Sequence, residues 1–218
     1  MRLPDSWKKA RVTAWIAAVT AAAWLIVSLL NADLRAAIWG GFIPARLAYG
    51  GDEMLAPFLL TPLTATLIHA SALHLIFNMI ILLYCGRPVE AMLGPWSMAI
   101  LYLLGAYAAA GAHYLVNPLS IAPMVGASGA VSAVIGAYAM LFGRNKVKVA
   151  NRRLALWLNA LWLLAAWVAL QVCLGIIMAG PGFLSGEGVQ IAAAAHIGGF
   201  LVGLLLANPL LLFRYRKA

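Results

Sequence analysis

A helical membrane bundle with six transmembrane helices and both termini in the cytoplasm is the fold class this sequence predicts, and three observations predict it. Of 218 residues, 65% are hydrophobic and only 10% charged, whereas soluble globular chains carry about 25% charged residues. Several apolar runs approach the roughly 20 residues that cross a hydrocarbon core about 30 Å thick. The basic residues sit in short clusters between those runs, where they orient a chain in a bilayer. That placement assigns the net charge of +9 to membrane topology and excludes nucleic acid as a partner.

The first element follows a short basic segment, residues 1–11, placed in the cytoplasm. Its apolar run from Val12 to about Leu30 is longer than the h-region of a signal peptide, and no clear small-residue cleavage site follows, so it reads as a retained first helix. The spans predicted in order are 12–31, 63–85, 96–116, 124–142, 154–179 and 190–213, followed by a basic tail, 214–218. They make one membrane domain over residues 1–218. An even number of spans puts both ends on one side. With that side cytoplasmic, 13 of the 15 lysines and arginines lie inside and only Arg35 and Arg46 outside, as the positive-inside rule requires. Alanine richness suits a multi-pass protein of a bacterial cytoplasmic membrane. Cys85 and Cys173 fall near opposite ends of their spans, beyond disulfide reach, and read as packing residues.

The longest connection is the outer segment 32–62, which mixes Trp39, Phe42, Ile43, Leu47 and Tyr49 with Gly40, Gly41, Gly50 and Gly51. Aromatic rings with polar tips favour the membrane interface. Two readings stay open: a membrane-embedded hairpin and a collapsed outer loop. No internal repeat is visible, which weighs against the inverted-repeat plan of many transporters.

Polar side chains inside apolar spans are costly and need a reason to be there. Ser128 stands in Met124-Val125-Gly126-Ala127-Ser128-Gly129-Ala130, where small neighbours let another backbone or a substrate chain approach. The same Gly126/Ala130 and Gly129/Ala133 spacing also packs membrane helices together. His196 lies in Ala195-His196-Ile197-Gly198-Gly199-Phe200, about 8 Å into the sixth span at the helical rise of 1.5 Å per residue. Ser128 is about equally deep from the same side, and Gly199 with Gly203 supplies a small face for helix contact. The two side chains can therefore meet at one level, as a nucleophile and its base would. A proton relay or a buried hydrogen-bond partner is the other reading of a lone membrane histidine.

His74 and Asn78 share one helix face at a spacing of four, below a helix start that Ser71 caps. Their donors, with the Ser128 backbone N–H, suit the oxyanion of a tetrahedral intermediate; the alternative is hydrogen bonding between helices. A metal site from His69, His74 and His196 lacks an intramembrane carboxylate or a His-Glu-x-x-His pattern, so no metal is expected. Asp33, Asp52, Glu53 and Glu187 fall in outer segments, and Glu90 and Asp5 face the cytoplasm. With no acid inside a span, a Ser-His dyad is expected in place of a triad, its orientation supplied by packing.

These residues resemble the rhomboid family of intramembrane serine proteases, from about Leu63 to Gly203. The stretch His69-Ala70-Ser71-Ala72-Leu73-His74-Leu75-Ile76-Phe77-Asn78-Met79 is similar to the family's second-helix signature, followed by Gly86, Glu90 and Leu93-Gly94. Gly126-Ala127-Ser128-Gly129 matches its G-x-S-G motif, and Ala195-His196 with Gly199 and Gly203 its A-H-x-x-G-x-x-x-G motif. The resemblance implies a six-helix rhomboid-like bundle, a Ser128 and His196 dyad, and His74 and Asn78 near the oxyanion, with Gly126, Gly129 and Gly199 in support. It also implies hydrolysis of transmembrane protein substrates within the lipid bilayer, without metal, cofactor or nucleotide. Two departures stand out. The family's Trp-Arg pair of the first outer loop is missing from Asp52–Phe58, and Ser132 occupies the place where many members carry a tyrosine stacked on the catalytic histidine. A non-catalytic relative that binds or chaperones membrane segments is the alternative to the protease, and a proton-coupled transporter is a third reading.

Overall fold

The structure, a computed structural model, describes residues 10–50, 56–143, 151–179 and 188–216. All regular structure among them is helical apart from one isolated bridge. Helix α1 spans Arg11–Leu29, and the short helices α2 (Asp33–Gly40) and α3 (Ala45–Tyr49) follow. The turn α4 (Thr61–Thr64) sits between two 3-10 turns, Phe58–Leu60 and Ala65–Leu67. The long helices α5 (Ala72–Leu93), α6 (Pro95–Val116), α7 (Ser128–Phe142), α8 (Arg152–Ala179) and α9 (Gly188–Tyr215) complete the chain. Four described helices are long and apolar enough to cross a membrane: Arg11–Leu29, Ala72–Leu93, Pro95–Val116 and Ala193–Tyr215. Their outward side chains are apolar, as at Leu25, Ile80, Trp96 and Leu205, which is the surface a lipid solvent selects. Asp5, Asp52, Glu53, Glu187, the basic residues of 144–148 and the ends of the chain fall outside the described residues.

Helix α7 is the centre. Residues Ser128–Ala137 are all buried, and α5, α6, α8 and α9 pack around them. Its sequence explains this, because glycine, alanine and serine let neighbouring backbones come close. The tightest seam joins α7 to α9. A Cβ added at Gly199 would collide with the Gly129 carbonyl oxygen, one at Gly203 with that of Ala133, and one at Gly136 with that of Phe200. The small face predicted for Gly199 and Gly203 is therefore an interlocked one. At its 15 residues, α7 is only about 22 Å long at the helical rise, shorter than a hydrocarbon core of about 30 Å.

Three boundaries differ from the predicted spans. The second span was expected to begin at 63, but Ile68 and Ser71 are extended, and Ser71 caps α5 by accepting the His74 N–H at 3.1 Å. The same helix runs past Cys85 to Leu93 despite Pro88, and stops at Gly94, whose φ of +88° suits glycine. Glu90, expected to face the cytoplasm from a loop, is instead a buried carboxylate on α5. Its two oxygens accept the backbone N–H groups of Val12 (2.9 Å) and Thr13 (2.7 Å) and the Thr13 hydroxyl (2.7 Å). The first turn of a helix leaves such donors without partners, and here the acid of a distant helix meets them.

The fourth span was expected from 124, yet residues before Ser128 form a pinned connection. Phe42 and Met124 exchange two backbone hydrogen bonds of 3.1 and 2.9 Å, Ala45 N–H donates to the Ser120 carbonyl at 3.1 Å, and Gly126 N–H to that of Ala65 at 2.9 Å. The connection that follows α1 is thus tied to the entry of α7. Its own anchors are Arg46 on the Ile38 carbonyl (2.6 Å), Thr64 on that of Gly40 (2.6 Å), and Arg35 over the Trp39 ring at 5.3 Å.

Candidate active site

The loop that delivers Ser128 is shaped by glycine. Gly126 has φ +114°, a conformation L side chains rarely adopt, and a Cβ there would stand 2.7 Å from Cε1 and 3.0 Å from Nε2 of His74. The His74 imidazole therefore lies over the backbone two residues before Ser128. One residue on, the Ala127 N–H donates to Nε2 of His69 at 3.3 Å. The rings of His69 and His74 meet edge to face, 5.1 Å apart. His69, just before α5, and His74, in its first turn, thus bracket the approach to Ser128. His69 enters the sequence argument as part of a motif and as a metal candidate; its observed role is to accept a buried backbone donor. Among the described residues, no three His, Cys, Asp or Glu side chains come together as a metal ligand set.

Ser128 opens α7 and is 9% exposed, and His196 on α9 is 2% exposed. The helices that carry them touch at the adjacent residues. Gly199, one turn after His196, lies on the Gly129 carbonyl, and a Cβ on Gly129 would come within 3.9 Å of the Ala195 carbonyl oxygen. Ser128 and His196 thus flank one α7–α9 seam at one level. Asn78 is fully buried one turn below His74, and its Nδ2 donates to the His74 carbonyl at 2.9 Å while Oδ1 has no hydrogen-bond partner.

Two residues of α8 have no part in the motifs. Trp167, 4% exposed, donates its indole N–H to the Ser132 hydroxyl at 2.7 Å, and its ring meets that of His196 in an edge arrangement, 5.8 Å between centroids. Gln171, one turn further along the same face, is 6% exposed with no partner for Nε2. Trp167 lies mid-span, away from the interfaces where tryptophan collects. A buried indole N–H needs an acceptor, and that requirement is the signal that could have found it.

Long apolar helices around a buried, polar-lined seam define a multi-pass integral membrane protein. The comparison with known families is specific. Residues 59–213 match the model of the Rhomboid domain, and the chain belongs to the rhomboid family. It is 31% identical over 143 residues to the Rhomboid protease GlpG of Pectobacterium atrosepticum, covering 65% of this chain and 45% of that protein. With the protein of the same name from Haemophilus influenzae it shares 32% over 141 residues, 64% of each chain. Rhomboid-related protein 2 of Mus musculus is 28% identical over 138 residues, 63% of this chain and 43% of the mouse protein. The chain spans less than two thirds of the length of these relatives.

Proposed function

We propose that the protein is an intramembrane serine endopeptidase of a bacterial cytoplasmic membrane, with six spans and cytoplasmic termini. It cleaves transmembrane segments of protein substrates near the outer face through Ser128 and His196. The observation that carries this reading is the α7–α9 seam, where Gly129 meets Ala195 and Gly199 beside a serine and a histidine that match the motifs of a protease family. The distribution of lysine and arginine, 13 against 2, supports the orientation.

In this mechanism the Ser128 hydroxyl attacks the scissile carbonyl carbon while its proton passes to an unprotonated nitrogen of His196. The oxyanion is met by the Ser128 N–H with His74 and Asn78. The C–N bond then breaks, His196 returns the proton to the leaving amine, and an acyl-enzyme remains. Water, deprotonated by His196, attacks that ester and releases Ser128. The position of Ser128 at the first residue of α7 supports this reading, because a helix end is where water can reach a nucleophile inside a bundle. Wild type in liposomes is expected to cleave a helix-destabilised transmembrane substrate, and Ser128→Ala and His196→Ala to lose cleavage. Cleavage that survives in Ser128→Ala overturns the reading, as does a wild type that neither cleaves a broad substrate panel nor reacts with a fluorophosphonate.

A further inference from the structure

We propose that Trp167 is the positioning residue for His196, and that Ser132 holds Trp167 in place. This rests on the protease reading for its kinetic consequence but on geometry for its substance. A base needs one orientation, and in a triad an acid hydrogen-bonded to the far ring nitrogen supplies it. Here Nδ1 of His196 has no hydrogen-bond partner, and the one carboxylate buried among the described residues, Glu90, is occupied by the first turn of α1. Orientation must come from packing.

The packing residue is itself fixed by a chain of hydrogen bonds. The Ser132 hydroxyl donates to the Ser128 carbonyl at 2.7 Å and accepts the Trp167 indole N–H at 2.7 Å. Its single proton and one lone pair are thereby committed, and Ser132 is fully buried. The indole is pinned at its nitrogen and its ring lies 5.8 Å from the imidazole at 61°, within the range of edge-to-face aromatic pairs. The relay ties three helices: the peptide of Ser128 on α7, the indole on α8 and the imidazole on α9. A shift of α8 therefore moves the surface against which His196 rests, and the nucleophile's own carbonyl sets where that surface lies.

The test uses the full chain in detergent micelles with a transmembrane substrate, together with NMR of ring-labelled histidine. The His196 signal is identified by its disappearance in His196→Ala. Trp167→Ala is expected to lower kcat by about 10- to 100-fold with KM changed less than about twofold, since misplacing a catalytic group costs on that order. Trp167→Phe and Ser132→Ala, which each break the same hydrogen bond, should each lower kcat by about 3- to 10-fold, and the double variant no further. All three should move the His196 signal, because the ring current of the indole acts on it at this distance. Trp162→Phe, on the exposed side of α8, should change neither readout. Unchanged kcat in Trp167→Ala with cleavage still dependent on Ser128 overturns the proposal. So does a fall in kcat without movement of the His196 signal. A wild type that never cleaves, with a His196 signal that still moves in all three variants, removes the protease reading and leaves the positioning role supported.

Discussion

Nε2 of His69 accepts the backbone N–H of Ala127 at 3.3 Å, so the residue before the proposed nucleophile hangs from a side chain 58 positions earlier. Leaving a buried donor without a partner costs about 1–3 kcal/mol. His69→Phe, which keeps the ring volume and removes the acceptor, is expected to lower thermal stability by that order. It should also lower cleavage more than tenfold, because the peptide displaced is the one that carries Ser128. Unfolding in mild detergent and a cleavage assay on the folded fraction separate the two effects, and an unaltered cleavage rate refutes the positional role.

Glu90 offers a second test, remote from the dyad. Three charge-assisted hydrogen bonds join it to the first turn of α1, and hydrogen bonds to charged groups contribute about 1.5–3 kcal/mol each before non-additivity. Glu90→Ala should destabilise the bundle by about 3 kcal/mol, and Thr13→Val by about 1 kcal/mol, since it removes one of the three contacts. In both variants the folded fraction should still react with fluorophosphonate at the wild-type rate. Loss of labelling in the folded fraction, with stability unchanged, contradicts this division of roles.

How much of this was legible beforehand follows from the kind of signal each feature leaves. The long helices and the Gly199/Gly203 seam were readable because apolar run length and small-residue spacing are local properties of the sequence. Glu90 was misplaced for a definite reason. An apolar-run argument ends a span at the first charges, Arg87 and Glu90, and cannot foresee that a carboxylate will be matched to the orphan donors of a helix 77 positions away. The start of α7 falls four residues after the expected one because an apolar-run argument carries the span back to Met124, while the pairing of Phe42 with Met124 that holds that residue outside the helix is long-range. Trp167 left only a mid-span tryptophan as a clue, and its partner Ser132 was read as the absence of an aromatic neighbour. The aromatic ring comes from α8 instead.

Glycines separate into structural and permissive ones, and a pair of substitutions tells them apart. Gly203 lies against the Ala133 carbonyl, so Gly203→Ala forces α9 off α7 and is expected to cost about 2–4 kcal/mol or prevent folding. Gly111 on α6 has open space where a Cβ would go. Gly111→Ala should therefore raise stability by about 0.5–1 kcal/mol through helix propensity and the unfolded chain. Thermal unfolding in one detergent checks both, and equal effects of the two substitutions contradict the seam.

Gly126 combines two constraints that a double-mutant cycle can divide. Its φ of +114° is strained for any residue with a Cβ, a cost of order 1–3 kcal/mol, and that Cβ would also press on the His74 ring at 2.7 Å. Gly126→Ala is expected to reduce cleavage sharply, about 100-fold or more, because both the path into Ser128 and the imidazole above it must move. Adding His74→Ala creates room for the methyl group but leaves the backbone strain and removes the imidazole. If the lost space dominates, Gly126→Ala costs little further stability in the His74→Ala background. If the backbone dominates, the stability loss is the same in both backgrounds and the two effects add. The left-handed geometry predicts the second result, since the φ strain stays whatever occupies the space above it and the peptide between the Ala65 carbonyl and His69 is held at both ends. A full recovery of stability in the double variant therefore assigns the glycine to space alone.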